Sequence, residues 1–381
     1  MKFDPVDVVL VCGNHTNAHT IVRSLDVIGF QGKVVLLRIE CDPVLVADRL
    51  NPWIEQWVIS EEEAGELPEI VSRRWAGIAG RVFVCFTNER FHQLFSRWVK
   101  DSVDDNIIVN FGNVERISTI IDRFRLYQFI EDNGFASVPD TIAGTEDPFE
   151  VFGDEFVIRP RESWQTPVHR EEVKISKGKS SYEDILKGFE SRGVGREKLC
   201  FQELLSIKNE SSLAIGGWFD PENQHLFCLR KRFQHPPGVG SGDICERIEP
   251  PDGVMESAVS ILSALEYCGP FELEFVFDDK SGEYKVIEMN PRFWMQHGLP
   301  EILSGYALIS RYLGRRPQII SPSELRTKYW VNPVQCLYRA IKGSFMPLFY
   351  YFRRDSWAPY TLLQAMWYGP LHVYSKLTGK R

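Results

Sequence analysis

The sequence predicts an α/β protein: a doubly wound parallel sheet over about the first 120 residues, then α+β domains built on antiparallel hairpins. Three observations carry this expectation. Buried apolar runs alternate with helical spacing through the N-terminal third; two later stretches read as hairpins; and 381 residues, 44% of them hydrophobic, are enough for two or three separate cores.

Asp7 to Cys12, DVVLVC, is a continuous apolar run, as a strand buried on both faces would be, and Asn17 to Ile28 follow at helical spacing. Lys33 to Arg38, Arg81 to Phe86 and Asn106 to Asn110 supply three more strands. No G-x-G-x-x-G follows the first strand, so a dinucleotide site is not predicted; Gly13 to His15 remain a candidate contact at its carboxyl end. His15 and His19 are four apart but lack a third ligand, and a zinc site is not expected. From Asp122 to Thr141, Phe124, Tyr127 and Ile130 keep helical spacing, Asn133-Gly134 end the helix, and Val138-Pro139 read as extended chain. Leu199 to Leu204 is a strand, and Leu213 to Phe219 with His225 to Phe233 form a hairpin across Pro221 to Gln224. Met255 to Tyr267 is an amphipathic helix, and a further helix is expected from Gln296 to Leu313.

The chemistry concentrates in Phe271 to Trp294, FELEFVFDDKSGEYKVIEMNPRFW. As a strand, Phe271, Leu273, Phe275 and Phe277 point one way and Glu272, Glu274 and Val276 the other, with a turn from Asp278 to Glu283. The return strand brings Glu288 beside Glu274, and Asn290 adds an amide oxygen two residues on. Hard oxygen ligands of this kind suit Mg²⁺, which fills its remaining positions with water and phosphate. Arg292 follows with a fork suited to phosphate or carboxylate oxygens. On spacing alone a hairpin with two solvated glutamates remains an open alternative.

The phrase ELEF…IEMNPRFW resembles the metal-binding signature of the ATP-grasp superfamily. Asp122-Arg123 at a helix start, the FVIRP strand, the LCFQEL strand and Arg230-Lys231-Arg232-Phe233 resemble further landmarks of that family in the same order, over about residues 1 to 315. The carboxylate-amine ligase branch is the most similar. The resemblance implies an ATP-grasp fold divided into residues 1–120, 121–198 and 199–320, with 321–381 as an extension. It implies ATP and Mg²⁺, with Mn²⁺ an alternative, the metal held by Glu274, Glu288 and Asn290. It places Arg123 and Arg159 on phosphate, where similar proteins carry lysine, Glu203 and Leu205 at the adenine edge, and Glu210 at the ribose. It turns Lys231 toward ATP and sets Arg232 and Arg292 at the reacting groups, with the amides of Gly238, Gly240, Ser241 and Gly242 beside a carboxylate or phosphate. The flexible lid of similar proteins falls on Glu162 to Glu172, which holds no glycine. The activity implied is ligation of a small carboxylate to an amine through an acyl phosphate. A phosphotransferase and a non-catalytic nucleotide-binding scaffold are the alternatives, and a homodimer is an open expectation.

The net charge of −8 is uneven. Lys328 to Arg381 holds eight Lys or Arg against one acid, Asp355, so this segment is +7 and the remainder −15. An acidic body argues against nucleic acid as a partner. The segment interleaves its cations with aromatics such as Trp330, Phe345, Phe349, Phe352 and Trp357. That pattern suits either an interfacial position on anionic lipid, with a lipid-linked acceptor, or helical hairpins packed on the acidic body. The first residues lack a basic stretch leading into an apolar core, and the eight cysteines show no C-x-x-C pair. A cytoplasmic protein with reduced thiols is expected, peripheral to the inner face of a membrane if the lipid reading holds.

Overall fold

The computed structural model describes residues 7–13, 16–40, 54–98, 105–109, 114–162, 173–208, 210–222, 224–235, 240–299, 308–314 and 327–358. The strands fall into three sheets. In the first, β1 (Val8–Cys12), β2 (Lys33–Ile39), β3 (Ile54–Ile59), β4 (Val82–Phe86) and β5 (Ile107–Ile108) run parallel in the order β3-β2-β1-β4-β5. Alternate residues of β1 enter different cores. Val9 and Val11 meet Ala18, Ile21 and Leu25 of α1 (Thr16–Val27), while Val8 and Leu10 meet Val71 of α2 (Leu67–Trp75) and Phe91 and Phe95 of α3 (Glu89–Trp98). Burial on both faces is why the strand is apolar throughout. The sequence reading missed β3, an edge strand whose IEQWVI carries polar residues at its centre.

After α4 (Val114–Ile121) and α5 (Arg123–Asp132), a small sheet combines β6 (Thr141–Ala143), β7 (Glu155–Pro160), β8 (Lys174–Lys177) and β9 (Leu199–Glu203) in the order β6-β9-β7-β8. α6 (Pro148–Phe152) and α7 (Lys179–Glu190) cover it through Phe149, Phe152, Tyr182 and Phe189. The Asp122 carboxylate caps α5, accepting from the amides of Phe124 and Arg125, and it also accepts from Arg161 at 2.6 Å. This fixes the helix start against the end of β7.

The third sheet comprises β10 (Ser212–Phe219), β11 (His225–His235), β12 (Ser241–Ile248), β13 (Gly269–Asp278), β14 (Glu283–Asn290), β15 (Tyr329–Val331) and β16 (Ser356–Trp357), in the order β14-β13-β10-β11-β12-β15-β16. One face buries Leu213, Ile215, Phe271, Leu273, Phe275, Val286 and Met289 against α4, α5 and α8 (Val254–Ala264). Each such side chain contributes about 1.5–3 kcal/mol. The opposite face carries the polar cluster described below.

Two β-bulges set what reaches that face. On β14 the pairing shifts between Glu274 opposite Glu288 and Phe275 opposite Val286, so Ile287 is an extra residue. Strict alternation would put Val286 and Glu288 on one face; the bulge sends Val286 and Met289 to the core and Glu288 and Asn290 to the other side. The Tyr127 hydroxyl donates to the carbonyl of Ile287. On β11, Lys231 pairs with Cys245 and Phe233 with Ile244, leaving Arg232 as the extra residue.

The helix expected over Gln296 to Leu313 starts later than Gln296, because Met295 to His297 form a turn; α9 (Leu308–Tyr312) is helical, and residues 300–307 lie outside the described ones. The basic aromatic segment adds β15 and β16 to the sheet edge, and α10 (Pro333–Ile341) and α11 (Met346–Tyr351) pack on β12 through Cys336, Leu348 and Tyr350. Residues 359–381 lie outside the described ones. Among the described residues no helix is long and apolar enough to cross a membrane, and the seven cysteines are free thiols.

Candidate active site

β13 and β14 each place two oxygen-bearing side chains on the same face, Glu272 opposite Asn290 and Glu274 opposite Glu288. Asn290 donates from Nδ2 to Glu272 at 3.1 Å. Glu272 is 6% exposed, and burial together with the neighbouring Glu274 charge pushes its carboxyl well above the usual range. Room for the indole of Trp294 beneath this face comes from Gly216 on β10, where a Cβ would fall 2.7 Å from that ring.

Cations from three elements close on the carboxylates. Lys231, 3% exposed, donates to Glu274 at 2.5 Å. Burial alone would lower its pKa, but Glu274 and then Glu272 outweigh this and raise it. Arg123 at the start of α5 reaches Glu288 Oε2 at 2.7 and 3.2 Å, and Arg159 at the end of β7 meets the same oxygen at 3.0 Å. Burial would raise the Glu288 carboxyl; Arg123 and Arg159 overcome that and hold it well below the ordinary range. Arg159 is itself 6% exposed, and its buried Nε has no hydrogen-bond partner among the described residues. A buried guanidinium N–H of this kind can donate to an anionic ligand.

The N-terminal sheet reaches the cluster through Glu89, at the start of α3 beyond the carboxyl end of β4. Its carboxylate accepts from Arg292 Nε at 2.6 Å, and Arg292 also donates to Asn290 Oδ1 at 3.1 Å. Asn17 of α1 donates to the carbonyls of Thr87 and Phe293, joining the same two regions. On the other side, Lys285 of β14 donates to Glu203 of β9, whose carboxylate also accepts from the amide of Asp140 at 3.0 Å. The cluster therefore lies where all three sheets meet.

This arrangement of sheets is similar to that of several solved proteins. Biotin carboxylase from Campylobacter jejuni, solved as a complex with an ATP ligand, is similar with a TM-score of 0.60 at 16% identity, over 83% of this chain and 72% of that one. The chain has the ATP-grasp fold. N5-carboxyaminoimidazole synthase from Aspergillus clavatus, in complex with ADP and its ribonucleotide, gives 0.57 at 15% identity over 82% and 78% of the two chains. L-amino acid ligase from Bacillus licheniformis gives 0.54 at 14% over 77% and 68%. Residues 250–314 match the family model for the carbamoyl-phosphate synthase L chain, ATP binding domain. A curated relative, provisionally named urea carboxylase, from Emericella nidulans, is 31% identical over 61 residues, which are 16% of this chain and 5% of that protein.

Within this ATP-grasp fold, Glu274, Glu288, Asn290, Arg292, Lys231, Arg123 and Arg159 come together, and Glu203 lies on the facing small sheet, with Leu205 half-buried just beyond its strand. Arg232 goes elsewhere. Strand alternation sets it with Arg230 on the side opposite Lys231, and there it donates to Glu246, at 2.5 Å, and to Glu210, while Lys328 closes on the same Glu246 at 2.5 Å. The expected substrate-facing Arg232 and ribose-facing Glu210 instead pair with each other, and Glu210 has a backbone φ of 66°, unusual for a side-chain-bearing residue. Residues 163–172 of the expected lid, 236–239 of the glycine-rich loop, and Asn14 and His15 lie outside the described residues. His297 is fully buried against Phe293 and Trp294, an ordinary core position. Sequence reading gave no role to Glu272, though its i, i+2 spacing to Glu274 signals a shared face. Glu89 and Lys285 carry no such signal.

Proposed function

We propose that the chain is an ATP-dependent ligase that joins a small carboxylate to an amine through an acyl phosphate. The observation that carries this is the meeting of Glu274 and Glu288 across one strand pair with Lys231, Arg123 and Arg159 around them, the last with a buried Nε unpaired among the described residues. Such a site holds polyphosphate by charge and positions it; phosphoryl transfer asks little else of a protein. The solved proteins that share the fold carry names of carboxylases and ligases, several with ATP or ADP bound, which supports the class.

The donor set fits a magnesium ion completed by water and phosphate. Among the described residues the cation contacts of Glu274 and Glu288 fall on Oε2, which leaves Oε1 of each for a metal. Among the described residues no three His, Cys, Asp or Glu converge as a self-sufficient cage. Glu274, Glu288 and the Asn290 amide oxygen would hold the ion, which when bound neutralises phosphate charge. Arg123, Arg159 and Lys231 orient the terminal phosphoryl group, and Arg292, fixed by Glu89, holds the acceptor carboxylate. A carboxylate oxygen attacks the γ-phosphorus and ADP leaves; the amine nitrogen then attacks the acyl carbon, the bond to phosphate breaks, and the ammonium proton is lost.

Calorimetric titration with ATP and magnesium, alongside ADP release over a panel of carboxylates, bicarbonate and amines, tests the reading. Glu288→Gln is expected to lower turnover by about 10²–10³-fold, the scale of losing one charge-stabilising group. ADP release that needs an amine supports ligation; ADP release with a phosphorylated acceptor and no amide points to a phosphotransferase. A wild-type chain that binds no nucleotide overturns the proposal.

A further inference from the structure

The hairpin of α10 and α11 carries a surface that the chemistry above does not use. Five exposed large apolar side chains, Ile341, Phe345, Met346, Phe349 and Phe352, fall within twelve consecutive residues and are 58% to 71% exposed. They include all three exposed phenylalanines among the described residues; the other exposed large apolar residues, Val27, Val58, Val151, Ile175, Leu204 and Ile207, are aliphatic and lie far from them in sequence. Scattered exposed aliphatics are ordinary; an aromatic patch on one hairpin is not. Nor is it a frayed end. Cys336, Leu348 and Tyr350 pack inward on Ile244, Tyr329 and Val331, and a turn through Gly343, φ +86°, closes with the Ser344 amide donating to the Arg339 carbonyl at 2.8 Å. The fold holds the apolar face outward.

Charge identifies what fits it. Lys342, Arg353 and Arg354 are exposed around the patch, and from 328 to 354 the sequence has no Asp or Glu. Asp355, the one acid that follows, is engaged by Arg353 at 2.8 Å. We infer that this hairpin face docks on an anionic lipid surface, phenylalanines in the interfacial layer and Lys342 and Arg354 at the headgroups. Two copies meeting through the patch would set cations against cations. Residues 359–381 are a poor cover for the same reason, since they hold three basic residues, Lys376, Lys380 and Arg381, and no acid. Arg339 of the hairpin bonds Asp243 at 2.8 and 2.9 Å and also donates to the Gln234 carbonyl. Docking therefore brings the β11–β12 end of the sheet to the bilayer. The inference stands on these side chains and is independent of the proposed reaction.

The test is flotation of the full chain with phosphatidylcholine vesicles, with and without phosphatidylglycerol, at low and high salt. Wild type is expected to float with the anionic vesicles and to lose most binding in high salt. The variant Phe345→Ser/Phe349→Ser/Phe352→Ser and, separately, Lys342→Glu/Arg354→Glu are each expected to bind about tenfold less with unchanged thermal midpoint, because the replaced side chains are exposed. Light scattering and hydroxyl-radical footprinting without vesicles cover the other occupants. The inference is overturned by absence of flotation, by a triple variant that floats like wild type, by a dimer that the triple variant dissociates, or by Phe345 and Met346 already shielded in the free monomer.

Discussion

Arg123 and Arg159 reach one oxygen of Glu288 from two different elements, and this convergence distinguishes the site from a solvated hairpin. Arg123 commits two nitrogens to Glu288 and the third to the Pro160 carbonyl. Arg159 holds the carboxylate with one nitrogen of a planar fork and keeps others for a second anion, which the single point charge of a lysine ammonium does not do. Arg292 shows the same economy, bridging Glu89 and Asn290. Glu89 touches neither Glu274 nor Glu288, so Glu89→Gln separates acceptor positioning from nucleotide binding. The expected result is unchanged ATP affinity by calorimetry with ADP release reduced about 10- to 100-fold, the penalty of a misplaced reacting group. At this scale the sequence showed Glu274, Glu288 and Asn290 as a converging set, since spacing along two adjacent strands is local information. It could not show Glu89, which meets Arg292 from 203 positions away.

Among the elements, the β13–β14 pair depends on its bulge. Tyr127→Phe removes the hydroxyl that satisfies the Ile287 carbonyl and is expected to cost about 1–3 kcal/mol, measured as a shift in the denaturant midpoint. Because Glu288 is the next residue, magnesium-dependent ATP binding should weaken in the same variant. Gly216→Ala tests the support beneath the site. The added methyl would meet the buried Trp294 ring at 2.7 and 2.9 Å, and a loss of about 1–3 kcal/mol is expected in thermal or chemical denaturation. Apolar runs and hairpin turns made most strands readable from sequence. β3 escaped because an edge strand has less need of apolar residues, and β15 and β16 because three- and two-residue strands have too few positions to show a period.

For the molecule as a whole, buried histidines tie stability to pH. Burial lowers His92 to about 3 and His297 to about 4, and both side chains are fully buried. The ordinary value is about 6.5, so on acidification the unfolded chain takes up these protons before the folded one does. Their contribution is fully present above about pH 6.5 and is lost as pH falls toward 3, by several kcal/mol in total. Denaturation across that window should show the slope, and His297→Gln should flatten it in part.

The sequence by itself determined the doubly wound N-terminal sheet, the carboxylate hairpin and the polarity of the C-terminal segment, because each is written in short-range periodicity or composition. Tertiary structure alone decided that Val286 faces the core, away from the side that alternation from Glu288 assigns it, and that Trp330 and Trp357 are buried while Phe345 and Phe349 are not. The physical reason differs for the two. A bulge reverses the two-residue alternation at one position, and the packing of a segment on a distant sheet selects which of its similar side chains meet protein and which meet solvent; neither choice leaves a mark in local spacing.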